Sequence, residues 1–237
     1  AVDLVNALQP PLCPSLFLGS NNTHLIAAIM QSPLREFWKG ASVVTIAQFS
    51  RKDVETVIET ARDMEKIDGK TDILHGKILA NVFYEPSTRT AASFHAAMLR
   101  LGGDVIHIAS SSSSSKKGET LQDTLRCLEC YTDVVVLRHP QAGQSLVGAR
   151  YLNVPLLNAG DGPNEHPTQA LLDIYTIVKE QGKLDNITVT MVGDLKYGRT
   201  VHSLVKVLAL FDNVVINFVA PDALQFPDGY RELESMR

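Results

Sequence analysis

The sequence predicts an α/β protein whose strands form parallel sheets covered by helices. Two observations carry this expectation. From residue 50 to residue 219, short apolar runs bounded by turn residues alternate with longer segments of helical periodicity, the β-α-β-α order of parallel sheets. The polar clusters also fall where such folds bind ligands, at the C-terminal ends of the strands.

Taken in order, residues 1–40 mix Pro, Asn and scattered apolar residues without clear periodicity, and read as an extension or linker with a short helix at 22–31. Residues 42–46 form a short lead-in. Ser50-Arg51-Lys52-Asp53 has capping-box spacing. Val54, Val57, Ile58, Ala61 and Met64 then recur at helical spacing, which predicts an amphipathic helix to about residue 67. The apolar run at 78–83 reads as a buried strand. A helix follows at 91–101, where Pro86 ends the strand, Ser87 or Thr88 caps the helix and Gly102-Gly103 stops it.

Next come a strand at 104–108, a loop of six serines (110–115) with Lys116-Lys117-Gly118, a helix at 119–130 and a strand at 134–137. Arg138-His139-Pro140 is read as a polar turn, 155–158 as a strand and 159–165 as a tight loop. His166-Pro167-Thr168-Gln169 opens a long helix to about residue 181, with Pro in the favoured first turn. After Gly182, a strand at 187–192, a turn at 193–200, a helix at 201–211 and a strand at 214–219 begin a second sheet.

Composition narrows the function classes. With 45% hydrophobic and 20% charged residues and a net charge of −4, the 237-residue chain shows no basic face or tail for nucleic acid. It has no apolar run of membrane-spanning length. Three cysteines, Cys13, Cys127 and Cys130, fit a reducing, cytoplasmic setting better than a disulfide framework. Cys127-x-x-Cys130 is half a zinc pattern without its second half, and is read as core packing. Asn21-Asn22-Thr23 and Asn186-Ile187-Thr188 match the glycosylation pattern by chance. The chain opens on Ala1 and not Met, which suggests processing or excision from something longer.

The chemistry concentrates at Phe83-Tyr84-Glu85-Pro86-Ser87-Thr88-Arg89-Thr90. Capping explains one hydroxyl here. It does not explain Arg89, a cation where the helix dipole disfavours one, and a bound anion such as phosphate resolves that conflict. Arg138, Lys117, His166 and Gln169 lie at other strand or helix ends, the last two three residues apart and so on one helix face. The inventory holds no carboxylate cluster for a metal, no G-x-S-x-G and no complete phosphate loop, since Arg199-Thr200 replaces Lys-[ST] after Gly198. It suits holding an anion and stabilising charge on an acyl oxygen, with no covalent nucleophile and no cofactor. His95, His139 and His202 are read as structural.

Five motifs in order then make the chain resemble the aspartate carbamoyltransferases, close to the domain of eukaryotic multifunctional pyrimidine-synthesis proteins. They are F-Y-E-P-S-T-R-T, K-K-G-E-T, V-V-V-L-R-H-P, N-A-G-D-G-x-x-E-H-P-T-Q-A-L-L-D and M-V-G-D-L-K-Y-G-R-T-V-H-S-L, spread over residues 42–222. The resemblance implies two parallel-sheet α/β domains of the transcarbamoylase type, the second incomplete in this chain. Residues 41–166 would bind carbamoyl phosphate, 167–182 would form an interdomain helix, and 183–237 would begin the aspartate-binding domain.

It also implies roles. Ser87, Thr88, Arg89 and Thr90 would hold the phosphate. Thr90, Arg138 and His166 would bond the carbonyl oxygen, and Gln169 the carbamoyl NH₂. Lys117, with a serine near Ser113, would reach a neighbouring subunit's site in a homotrimer with shared sites. Arg199 and Lys117 would bind L-aspartate, and Glu85 would pair with Arg199 across the domain gap in the closed state. Other pyrimidine-pathway domains on the same polypeptide are a further expectation. Two alternatives stand beside this reading: an ornithine carbamoyltransferase, against which Lys117 argues, and a truncated, non-catalytic carbamoyl-phosphate-binding oligomerisation module. Only two strands follow Gly182, so apolar edges and faces of the second sheet are expected to stay uncovered.

Overall fold

The structure, a computed structural model, describes residues 38, 40–67, 69–109 and 118–227. The expected helix at 22–31, Cys13, the Asn21 pattern, the serine run with Ser113, and Lys117 lie outside these residues. The first sheet has the order β2-β1-β3-β4, all parallel, with β1 (Ile78–Phe83), β2 (Asp104–Ala109), β3 (Val134–His139) and β4 (Leu156–Asp161). Val43 extends it beyond β4: its N–H donates to Leu156 O at 2.8 Å and its C=O accepts from Asn158 N at 2.8 Å.

Alternation along the strands builds two apolar layers. Leu79 and Phe83 of β1, Val134 and Val136 of β3, and Leu157 and Ala159 of β4 face α1 (Arg51–Glu65), α2 (Thr88–Arg100) and α5 (Pro167–Gln181). Ala80 and Val82, Val135 and Leu137, and Leu156 face α3 (Leu121–Glu129) and α4 (Gln144–Tyr151). Strands covered on both faces read as continuous apolar runs, which is why β1 and β3 were legible. Each fully buried Leu or Val contributes about 1.5–3 kcal/mol over its exposed state.

Local rules set the helix ends. Ser50 and Asp53 form the expected capping box on α1. Pro167 opens α5, and Gly182, at φ 76°, closes it in the left-handed conformation. Ser87 is the N-cap of α2 by position, but its hydroxyl makes no capping bond.

Among the described residues the second sheet holds two parallel strands, β5 (Thr188–Val192) and β6 (Val215–Val219), joined through α6 (Arg199–Leu208). Met191 of β5 joins Val205, Leu208 and Phe211 in the apolar cluster that also contains Ile174 of α5 and Leu79 of β1. One core therefore runs through both sheets. The opposite face is open: Val192, Val215 and Val219 are 74%, 54% and 51% exposed.

Three readings need correction, and one helix was missed. Residues 159–161, expected to open a tight loop, are the last three of β4. Arg138 and His139 are the last residues of β3 and not a turn, because β1 pairs with β3 as far as Phe83 and Arg138. Cys127 and Cys130 are exposed, not core: their helical phase puts Leu125 and Leu128 inward and the thiols outward. Cys127 Sγ lies 3.1 Å from Tyr131 Oη. Helix α4 was not foreseen. It is short and weakly amphipathic, and its Gly148 reads as a breaker. A Cβ there would stand 2.8 Å from Leu125 Cδ1 and 3.1 Å from Leu156 Cδ1, so glycine is what lets α4 approach the sheet. Among the described residues no helix is long and apolar enough to cross a membrane.

Candidate active site

Four chain segments converge on one cavity of about 1120 Å³, each from the C-terminal end of a strand. The turn after β1 brings Ser87, Thr88, Arg89 and Thr90, the end of β3 brings Arg138, the turn after β4 brings His166 and Gln169, and the turn after β5 brings Arg199. With Ser87 not capping, the first-turn N–H groups of α2 and the hydroxyls around them are available to an anion.

Arg138 is held by its strand, since Tyr84 N donates to its C=O at 2.9 Å. Its side chain is 12% exposed, and its Nε lies 3.3 Å from Glu85 Oε2. That contact is an ion pair without hydrogen-bond alignment, so the buried Nε–H is an unsatisfied donor beside the cavity. Arg199, the first residue of α6, donates from Nη1 to Glu85 Oε2 at 3.1 Å and to Gly162 O at 2.7 Å, and from Nη2 to Glu85 Oε1 at 3.4 Å. Its guanidinium lies over Gly160, where a Cβ would meet Nε at 3.3 Å. Burial opposes ionisation of Glu85. The Arg199 hydrogen bonds and the charges of both arginines outweigh it and hold the carboxyl below its ordinary range.

His166 is 5% exposed. Burial first, then the nearby Arg138 and Arg199 charges, push its imidazole down to about 4, with Glu85 opposing; it is neutral at pH 7. Its Nδ1 lies 3.4 Å from Thr168 Oγ1. Gln169 Nε2 donates to Asp173 Oδ1 at 2.9 Å. Burial pushes the Asp173 carboxyl up, and that hydrogen bond partly offsets it.

The end of β4 and the loop after it are held by a dense set of hydrogen bonds. Asp161, 1% exposed, accepts from Gly143 N, Asn158 Nδ2, Asn164 Nδ2 and Glu165 N at 2.8–3.1 Å. Gly162, at φ 54°, passes so close to Pro140 that a Cβ would sit 2.6 Å from its carbonyl oxygen.

Among the described residues no group of His, Cys, Asp or Glu is placed to hold a metal ion. Ser87, Thr88, Arg89, Thr90, Arg138, His166, Gln169 and Arg199 share one cavity, with Glu85 between the two half-buried arginines. Sequence reasoning did not assign Thr168, Gly160, Gly162 or Glu165. The two glycines were legible only as turn residues, because nothing local announces that a guanidinium or a carbonyl will lie against them.

Residues 41–179 match the family model described as "Aspartate/ornithine carbamoyltransferase, carbamoyl-P binding domain". The chain belongs to this family. It is 50% identical over 194 residues to the aspartate carbamoyltransferase catalytic subunit of Thermococcus kodakarensis, a match covering 80% of this chain and 62% of that protein. It is 49% identical over 228 residues to the multifunctional protein pyrABCN of Emericella nidulans, covering 95% of this chain and 10% of that protein. Among solved structures, aspartate transcarbamoylase from Trypanosoma cruzi in complex with carbamoyl phosphate and aspartate superposes with a TM-score of 0.80 at 47% identity, covering 83% of this chain and 63% of that one. The chain thus spans about 62% of the length of the T. kodakarensis catalytic subunit.

Proposed function

We propose that the full-length protein transfers the carbamoyl group of carbamoyl phosphate to the amine of L-aspartate, giving N-carbamoyl-L-aspartate and phosphate. The observation that carries this reading is a neutral, buried His166 beside the Arg138–Glu85–Arg199 cluster, sharing one cavity with the uncapped first turn of α2.

The phosphate sits on the N–H groups of α2 with Ser87, Thr88, Arg89 and Thr90 around it. Arg138, through its guanidinium, Thr90 and His166 donate to the carbamoyl oxygen. A neutral imidazole donates one hydrogen bond, and the tautomer in which Nδ1 accepts from Thr168 leaves Nε2–H for that oxygen. Gln169, anchored by Asp173, receives the carbamoyl NH₂. Arg199 holds an aspartate carboxylate.

The aspartate nitrogen attacks the carbamoyl carbon, forming the C–N bond and a tetrahedral oxyanion. That intermediate collapses by breaking the C–O bond to phosphate, and the departing phosphate takes the amine proton. Each donor aimed at the oxyanion is worth about 3 kcal/mol of barrier.

Residues 41–166 form the carbamoyl-phosphate half, 167–182 the joining helix, and 183–237 the start of the aspartate half, after an extension at 1–40. Lys117 and Ser113 complete a neighbour's site in a cytoplasmic homotrimer. The named complexes of the Trypanosoma cruzi relative support the substrate pair, and the Emericella nidulans relative supports fusion to other domains. The test is ureido-product formation from carbamoyl phosphate with L-aspartate against L-ornithine in the full-length protein. Turnover with aspartate alone is expected; turnover with ornithine, or with neither amine, overturns the proposal.

A further inference from the structure

Helix α6 turns one polar face toward the loop that carries His166. Arg199, His202, Ser203 and Lys206 stand at i, i+3, i+4 and i+7 and share that face. Each meets a group of the 162–166 loop. Arg199 Nη1 donates to Gly162 O at 2.7 Å, and His202 Nδ1 lies 3.1 Å from Pro163 O. Lys206 Nζ donates to Glu165 Oε1 at 2.6 Å, and His166 N donates to Ser203 Oγ at 3.0 Å. The loop is fastened along the helix, rung by rung.

Glu165 is the centre of this fastening. It is 3% exposed, and its carboxylate also accepts from Thr45 Oγ1 and from Ile46 N, both at 2.7 Å. One carboxylate thus ties the 45–46 segment, the loop and α6 together. A buried ion pair is a poor way to gain stability, because an apolar pair of similar size is often as stable. What such a pair supplies is direction: three donors, two from the 45–46 segment and one from α6, fix where the residue before His166 must lie. Neither Glu165 nor Lys206 lines the cavity, so any effect on chemistry passes through their neighbours.

We infer that Glu165 and Lys206 form a positioning pair that locks the His166 loop onto α6, so that His166 and Arg199 enter the cavity as one rigid frame. Its consequence for turnover rests on the carbamoyl-transfer reading. The frame itself does not. The charged groups felt by the His166 ring are Arg138, Arg199 and Glu85.

The test uses the full-length protein with Lys206→Met, the rescue variant Lys206→Arg, and the double variant Glu165→Gln/Lys206→Met, which removes the unpaired buried carboxylate and so protects the fold. Steady-state assays are expected to show kcat lowered about ten-fold in Lys206→Met and in the double variant. KM for carbamoyl phosphate should stay within about two-fold, and Lys206→Arg should recover most of the rate. Histidine-selective NMR gives a readout that needs no turnover. The His166 ring, neutral down to about pH 4 in the parent, should titrate about one pH unit higher in the double variant as water reaches it. Parent kcat together with parent His166 titration in both variants overturns the inference. If the parent makes no ureido product, the carbamoyl reading fails, and the NMR result still decides the positioning pair.

Discussion

Glu85 binds Arg199 through two hydrogen bonds, Nη1 to Oε2 at 3.1 Å and Nη2 to Oε1 at 3.4 Å, and so joins the turn after β1 to the first turn of α6. The same carboxylate lies 3.3 Å from Arg138 Nε. Without it, two guanidiniums would face each other unscreened. Glu85→Gln is therefore expected to cost only about 1 kcal/mol of stability, since Glu85 is one-third exposed, but to lower turnover by about ten-fold through loss of alignment. Denaturant titration beside steady-state kinetics separates the two effects.

His166 sets a pH dependence. Its imidazole titrates near 6.5 when unfolded and at about 4 when folded, so between these values the unfolded chain binds more protons than the folded one. Stability therefore falls as pH drops from 6.5 toward 4 and loses nothing further from this group below that. The full effect is about 3 kcal/mol. Urea unfolding at a series of pH values should show this slope in the parent and a flatter one in His166→Gln. Equal slopes would mean that the ring is not buried in its neutral form.

Gly160 is the floor under Arg199. At φ 115°, with a new Cβ 3.3 Å from the Arg199 Nε, Gly160→Ala is strained in its backbone and crowds the guanidinium. A loss of about 1–3 kcal/mol is expected, with a raised KM for aspartate and little change in KM for carbamoyl phosphate. A change confined to carbamoyl phosphate would place Arg199 on the wrong substrate.

Gly148→Ala tests the approach of α4 to the sheet. The added methyl would sit 2.8 Å from Leu125 Cδ1, and overpacking of this kind costs about 1–3 kcal/mol. A midpoint unchanged in thermal denaturation would show that Leu125 and Leu156 can move aside.

The exposed thiols offer a direct check of α3. Cys127 and Cys130 should both react with a maleimide in the native protein, as mass spectrometry of modified peptides can show. Protection of either until denaturation would return that thiol to the core.

How much of this was legible in the sequence depends on where the determining force lay. β1 and β3 are covered on both faces, so their apolar runs announced them, and α1 and α5 carried their own capping signals in Ser50, Asp53 and Pro167. Helix α4 was missed because the reason for it is tertiary: Gly148 looks like a breaker until Leu125 and Leu156 are seen against it. Of the candidate site, Ser87 to Thr90, Arg138, His166 and Gln169 were named from their types and their places at strand or helix ends, and Arg199 through the family resemblance. The supports were not. Glu165 and Lys206 are 41 positions apart, and only the polar i, i+3, i+4, i+7 stripe on α6 hinted at a partner for the loop.

The bridge between Val43 and Leu157 bears on how the chain assembles. The outermost position of the first sheet is filled by a segment that precedes β1, while its partner, β4, is the last strand of that sheet to be made. Glu165, which anchors Ile46, comes later still. During synthesis residues 43–46 must wait for more than a hundred further residues to leave the ribosome before they find their places. Contacts of such separation form slowly and late, so this apolar segment stays without its sheet partner until β4 and the loop after it have been made.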